Sequence, residues 1–169
     1  MTGPTLYAWL ESPLGRLLAV GDEGSLVSLS IEGQRWSSGV GAEWRRADAP
    51  FSEIARQLGQ YFAGERRDFD LPLRIAGSEF RRRVWEALRA IPFGETRSYG
   101  QLAQGVGRPG AARAVGLANG RNPFAIVVPC HRAIGADGAL VGYGGGLERK
   151  RWLLEHERSL MSSWRGGSG

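Results

Sequence analysis

The chain has 169 residues, 42% hydrophobic and 23% charged, a composition in the ordinary range of folded domains that excludes wholesale disorder. No run approaches the roughly 18 consecutive apolar residues of a membrane span, and Met1 to Glu11 lacks the basic-then-apolar layout of a secretory leader. A cytoplasmic protein is therefore expected, nuclear in a eukaryote; with one cysteine and two histidines, neither an internal disulfide, a structural metal nor a cofactor is expected.

The net charge of +5 is unevenly held. Residues 1–75 carry eight arginines against ten carboxylates, a net of −2, whereas 76–169 carry fourteen basic residues against seven acidic ones, a net of +7. A basic second half fits a polyanion such as nucleic acid. A solvated arginine-rich surface accounts for the charge equally well.

In chain order, Leu17 to Val20, the turn Gly21-Asp22-Glu23-Gly24 and the partly alternating Leu26 to Ile31 predict a β-hairpin. After a polar, tryptophan-punctuated loop from Gly33 to Pro50, the residues Phe51, Ile54, Leu58, Tyr61 and Phe62 recur at helical spacing, closed by Gly64. This helix is expected to pack on the sheet. The stretch from Glu65 to Gly77 is charged, holds Pro72 and ends in a Gly-Ser pair, which puts a domain boundary near Ala76.

Ser78 then caps a predicted helix with Phe80, Val84, Trp85 and Leu88 on one side, ended by Pro92. Two short helical segments, Ser98 to Val106 and Ala111 to Asn119, flank the breaker Gly107-Arg108-Pro109-Gly110, a helix-turn-helix pattern. The last helix is expected from Leu147 to Leu160, with Leu147, Lys150, Leu154 and Glu157 on one face, followed by a flexible Gly/Ser-rich tail over 161–169.

A lone cysteine is more often a small buried hydrophobe than a nucleophile. Cys130, however, follows the apolar run Asn122 to Val128, which reads as a buried strand stopped by Pro129, and it precedes His131 and Arg132. A thiol attacks as the thiolate, so a base and a positive field beside it are the groups such chemistry needs.

Pro129-Cys130-His131-Arg132, then Gly142-Tyr143-Gly144-Gly145-Gly146 and Trp152 to Glu157, together resemble the O6-alkylguanine-DNA alkyltransferases. Phe80 to Trp85, Ile91 to Tyr99 and Ala111 to Gly116 extend the resemblance over 78–157, while 1–75 shares layout alone. The resemblance implies an α+β protein. A small N-terminal antiparallel-sheet and helix domain of ribonuclease H-like type (1–75) would precede a C-terminal winged-helix-type helix-turn-helix domain (76–160) carrying the chemistry.

It also implies a function: direct-reversal DNA repair, in which Cys130 takes the alkyl group from O6-alkylguanine, and from O4-alkylthymine, in double-stranded DNA. The transfer is irreversible and happens once per molecule. The family's hydrogen-bonded chain of cysteine, water, histidine and glutamate maps onto Cys130, His131 and Glu157, and its asparagine hinge onto Asn122. Reaching a stacked base requires flipping it out, at roughly a few kcal/mol. By resemblance Arg113 fills the vacated stack, Tyr99 crowds the flanking phosphate, and Tyr143 donates its hydroxyl toward the guanine ring.

Ala133 stands where valine is usual and Gly144 where serine is common; each offers a backbone group to the base by the same resemblance. Lys150, the only lysine, matches one supporting the pocket loop, with a solvent-exposed lysine as the alternative. Ala112, Ala114, Gly116, Asn119 and Arg121 are the remaining expected DNA contacts, on a helix of small residues that by the same resemblance enters the minor groove, where readout is degenerate. A monomer is expected, with cooperative assembly on DNA left open. A lesion binder without the cysteine, a sequence-specific helix-turn-helix regulator and a turning-over Cys-His-Glu hydrolase are the competing readings; Cys130 argues against the first, and the regulator leaves His131, Tyr143 and Glu157 unexplained.

Overall fold

A computed structural model describes residues 3–34, 39–140 and 143–167, with side chains placed through Met161. The chain divides into two compact units, one of residues up to Ala76 together with Pro123–Ala125, the other of Gly77–Asn122 and the residues from Ile126 onward.

The first unit is built on strands β1 (Leu6–Leu10), β2 (Leu17–Gly21), β3 (Leu26–Ile31) and β4 (Arg45–Arg46), in the order β3-β2-β1-β4. The first three pair antiparallel and the short β4 lies parallel to β1. The expected hairpin is β2–β3. Its turn is held by Asp22, whose Oδ1 accepts the amides of Gly24 and Ser25, both at 2.8 Å. At Gly21 the register shifts, and a Cβ would stand 2.2 Å from the Ser25 carbonyl, so only glycine fits this close approach.

Helix α1 (Ser52–Phe62) buries Ile54, Gln57, Leu58 and Tyr61 on one stripe. The buried Gln57 amide pairs with both backbone groups of Asp70 at 2.9 Å, tying the irregular 63–75 segment to the helix. That segment in turn bonds β3 through Leu26 N–H to Pro72 O and Arg74 N–H to Leu26 O, each 2.8 Å. Leu29, at the middle of β3, exchanges bonds with Pro123 and Ala125.

In the second unit, α2 (Glu79–Arg89) starts at Ser78, whose hydroxyl accepts the Arg81 amide at 3.2 Å, and buries Val84, Trp85 and Leu88. Helix α3 (Tyr99–Gly105) opens with a capping box, Ser98 and Gln101 each satisfying the other's backbone amide. Helix α4 (Ala112–Gly120) follows across the Gly/Pro turn, and Trp85 Nε1 donates to Ala118 O at 2.9 Å, fastening α2 to α4. Strand β5 (Arg97–Ser98) pairs in parallel with β6 (Ala133–Ile134), which brings the start of α3 beside the residues after Cys130. The architecture is thus the expected α+β arrangement, a sheet domain followed by a helix-turn-helix domain.

Two expectations are corrected. The run from Asn122 to Val128 is buried but is not a strand; it is an irregular turn in which Ile126 holds φ +71°, and Cys130–Arg132 forms one turn of 3-10 helix. Pro123 and Pro129 lack the amides a ladder needs, so the run pairs with β3 at the single bridge of Phe124 with Leu29, and its apolar, β-branched composition otherwise reflects burial. Helix α5 (Leu147–Gly167) runs past Leu160, because Met161, Ser162, Ser163, Trp164 and Arg165 contain nothing that forbids helical dihedrals.

Candidate active site

Cys130 begins the 3-10 turn at the end of the irregular segment and is 6% exposed. Its amide bonds Val128 O at 2.7 Å, and the same carbonyl accepts Asn122 Nδ2 at 2.8 Å, so Asn122, at the end of α4, fixes the turn that presents the thiol. The Asn122 side chain also hydrogen-bonds the sulfur. Burial pushes the thiol up to about 11; the Asn122 bond and the Lys150 charge oppose that rise without cancelling it. Cys130 therefore rests as a neutral thiol and needs a base at the moment of attack.

His131 and Glu157 are the candidate base. Both are sealed from solvent, at 0% and 1% exposure, and His131 Nε2 lies 2.7 Å from Glu157 Oε2. Although burial alone would raise the Glu157 carboxyl, the bonds and charges of His131 and Arg132 hold it well below the usual carboxylate range. Burial also holds the His131 imidazole low, with Glu157 pulling the other way and Arg132 and Lys150 reinforcing the depression. An ionised carboxylate can only accept, so the single proton of a neutral His131 sits on Nε2. Its Nδ1 is then a lone-pair acceptor, buried and without a hydrogen-bond partner among the described residues.

Two residues absent from the expected site residues complete the carboxylate's setting. Arg132 forks onto Glu157, Nε to Oε1 at 2.9 Å and Nη2 to Oε2 at 3.0 Å, while its Nη1 donates to Ile91 O at 2.7 Å. Gly94 N–H donates to Glu157 Oε1 at 3.1 Å. Arg132 lies inside the Pro-Cys-His-Arg motif and Gly94 inside Ile91 to Tyr99, so the signal was there, but no periodicity says which carboxylate an arginine will meet.

The β5–β6 pairing assembles the rest of the pocket. Lys150 is fully buried, against the alternative of a solvent-exposed lysine, and its Nζ donates to Ala133 O at 2.5 Å while lying 5.9 Å from the Tyr99 ring centre. Burial brings its ammonium down to about 8, opposed by the Cys130 charge. Tyr99 is pushed up to about 12 by burial and is hydrogen-bonded by Asn119. Tyr143 is raised further by burial, and its hydroxyl is a buried group without a partner among the described residues. Both phenols thus stay protonated, and Tyr143 keeps a donor to give.

Helix α4 sorts the expected DNA contacts. Arg113, Ala114 and Leu117 are exposed along its outer face and Arg121 just past its end, while Ala112 and Gly116 are half-buried. Asn119 is buried at 1% exposure and acts on Tyr99 from within. Leu117, not among the expected contacts, is 70% exposed one turn after Arg113. Gly144 is half-buried beside Tyr143.

Two family models together match most of this chain. The ribonuclease-like domain of 6-O-methylguanine DNA methyltransferase matches residues 5–75, and its DNA binding domain matches residues 79–159. A methylated-DNA–protein-cysteine methyltransferase of Mycolicibacterium paratuberculosis is 55% identical over 153 residues, covering 90% of this chain and 92% of that protein. One of the same name from Methanosarcina acetivorans is 50% identical, covering 90% and 98%. The crystal structure of Mycobacterium tuberculosis OGT in complex with DNA superimposes with a TM-score of 0.88 at 51% identity, covering 92% of this chain and 94% of that one.

Proposed function

This chain belongs to the 6-O-methylguanine DNA methyltransferase family, and from that premise we propose that it repairs alkylated DNA by moving the alkyl group onto Cys130. Among the described residues no helix is long and apolar enough to cross a membrane; the proposed partner is double-stranded DNA, and the compartment is the one that holds the genome, the cytoplasm in a bacterium or archaeon. The observation that carries the mechanism is a buried His131 Nδ1, without a hydrogen-bond partner among the described residues, on a ring whose Nε2 is held by ionised Glu157, next in sequence to the thiol.

The lesion base is flipped out through the minor groove, with Arg113 on the exposed face of α4 filling the stack. As the alkyl carbon meets Cys130, the S–H proton passes to the Nδ1 side of His131 and the sulfur lone pair forms the C–S bond. The C–O6 bond breaks with its electron pair staying on the guanine, and the Tyr143 hydroxyl donates toward the ring to stabilise that charge. The Lys150–Ala133 bond keeps the pocket wall in place. The guanine anion takes up one proton on its ring nitrogen and leaves as normal guanine, while His131 gives up the proton it received; the thioether on Cys130 has no route back, so each molecule acts once. O4-alkylthymine presents the same kind of alkoxy carbon and is the second substrate proposed.

Duplex DNA carrying radiolabelled O6-methylguanine tests this. Label should pass to protein up to one equivalent and should not pass to Cys130→Ala. Label beyond one equivalent, or transfer surviving that substitution, removes the mechanism and favours a turning-over hydrolase or another acceptor.

A further inference from the structure

Arg132 lies beside the proton path without touching it. Its two bonds to Glu157 use both carboxylate oxygens, one of which also holds His131, and its remaining nitrogen is anchored to Ile91 O. Arg132 is 4% exposed. A buried fork of this kind fixes charge as well as geometry, because a guanidinium does not deprotonate in proteins.

We infer that Arg132 is a positioning residue whose charge, by neutralising Glu157, keeps His131 in the neutral Nε2–H form that can take the thiol proton. The inference rests on the transfer reading above for its consequence, though not for the protonation state itself. With Arg132 present, the buried cluster of arginine, carboxylate and imidazole sums to zero. Without it, a lone carboxylate against a histidine in a desolvated site draws a proton onto the pair, and an imidazolium has no lone pair at Nδ1.

The other groups facing His131 do not replace this charge. Lys150, from α5, donates to Ala133 O rather than to Glu157, and Cys130, from the same turn as His131, is neutral at rest. Tyr143, from the loop before α5, is held protonated and is also neutral. Gly94 contributes an amide, which orients the carboxylate without cancelling its charge.

The test combines kinetics with spectroscopy. In single-turnover transfer from O6-methylguanine duplex, the rising limb of the pH–rate profile should move up by at least one pH unit in Arg132→Met. Its rate should fall below the moved limb and recover toward the native rate as pH rises. Arg132→Lys, which keeps charge but loses the fork, should lower the plateau and leave the limb in place. A merely structural arginine would lower both plateaus and move neither limb, and that result overturns the inference. Since Arg132→Met must also fold, imidazole nitrogen spectra of the native protein provide the second measurement, with His156→Gln assigning the only other histidine. They should show His131 protonated on Nε2 alone from pH 6 to 8; a proton on Nδ1 at neutral pH refutes the inference. Absence of any transfer by the native protein would instead sink the functional reading and leave the spectra to decide the protonation state.

Discussion

Replacing Glu157 with glutamine keeps the shape of the side chain and removes its charge. In the native protein the carboxylate receives His131 at 2.7 Å, the Arg132 fork at 2.9 and 3.0 Å, and Gly94 N–H at 3.1 Å, all out of solvent. A glutamine has one acceptor oxygen and a donor NH2 where donors already converge, so at least one Arg132 bond is lost and the guanidinium is left buried without its counter-charge. Breaking a buried pair from one side costs about 3–5 kcal/mol. For a chain of this size that is a fall in Tm of roughly 6–20 °C. The same change lets His131 put its proton on either nitrogen, so transfer should slow by about 10²–10⁴. Thermal unfolding and single-turnover transfer on duplex substrate, both at pH 7.5, measure the two effects. Because the folded carboxyl is held below its unfolded value, its stabilisation is fully present above the unfolded value near 4.5 and is lost as pH falls below it. The Tm gap between native and Glu157→Gln should therefore be constant at neutral pH and narrow in acid. A gap under about 2 °C at pH 7.5 would mean that Arg132 and Glu157 do not form the compensated pair described.

Lys150→Met removes a buried ammonium whose folded value lies near 8, below its unfolded value near 10.5. The unfolded chain binds more protons between those values, so native stability should rise relative to the variant from pH 8 to 10.5; a flat difference in Tm over that window would contradict the burial of this lysine. Arg113→Ala should weaken duplex transfer while leaving transfer from the free alkylated base intact, and equal losses on both would remove it from base flipping. Leu117→Glu, at a 70% exposed site, should leave Tm unchanged and weaken duplex binding several-fold in a filter or anisotropy assay; unaltered affinity would put Leu117 outside the interface. Gly94→Ala, at φ +82° with Met161 Cγ 2.4 Å from the new Cβ, should lower Tm by several degrees and slow transfer by displacing the amide on Glu157; native-like values would show that the turn yields freely.

What the chain makes legible residue by residue is unequal. Helices α2 and α3 announce themselves through Ser78 and Ser98, because capping is a local contract between a side chain and amides two or three residues away. The β2–β3 hairpin is likewise local, its turn closed by Asp22 on amides two and three residues on. The approach to Cys130 misleads for the opposite reason: Phe124 to Val128 are apolar because they are buried, and nothing in that composition tells a strand from a proline-bounded turn with Ile126 at positive φ. The motif resemblance brings forward His131 and Glu157 as candidates, 26 residues apart in sequence. It does not say that Arg132 would meet the same carboxylate, that Lys150 would be buried on Ala133 O, or that Asn119 would turn inward to Tyr99, since each of those contacts is made by the packing of α5, β6 and α4.

The resting state of Cys130 bears on how a protein used once avoids being used wrongly. A thiol held near 11 carries, at pH 7.5, about 300-fold less thiolate than a free cysteine of value near 8.5. The greater basicity of that thiolate returns roughly tenfold in nucleophilicity, leaving reaction with a small soluble electrophile about 20- to 30-fold slower than for an unstructured cysteine, before any steric shielding. On the proposed mechanism the flipped base escapes this penalty, because it holds its alkyl carbon at the sulfur while the proton leaves toward His131. Iodoacetamide labelling of the native protein without DNA should therefore be at least 20-fold slower than labelling of a cysteine peptide at pH 7.5, and should climb with pH well beyond pH 9 instead of levelling there. Labelling as fast as the peptide's at neutral pH, or a profile that levels below pH 8, would show a standing thiolate and make His131 an orienting group rather than the base.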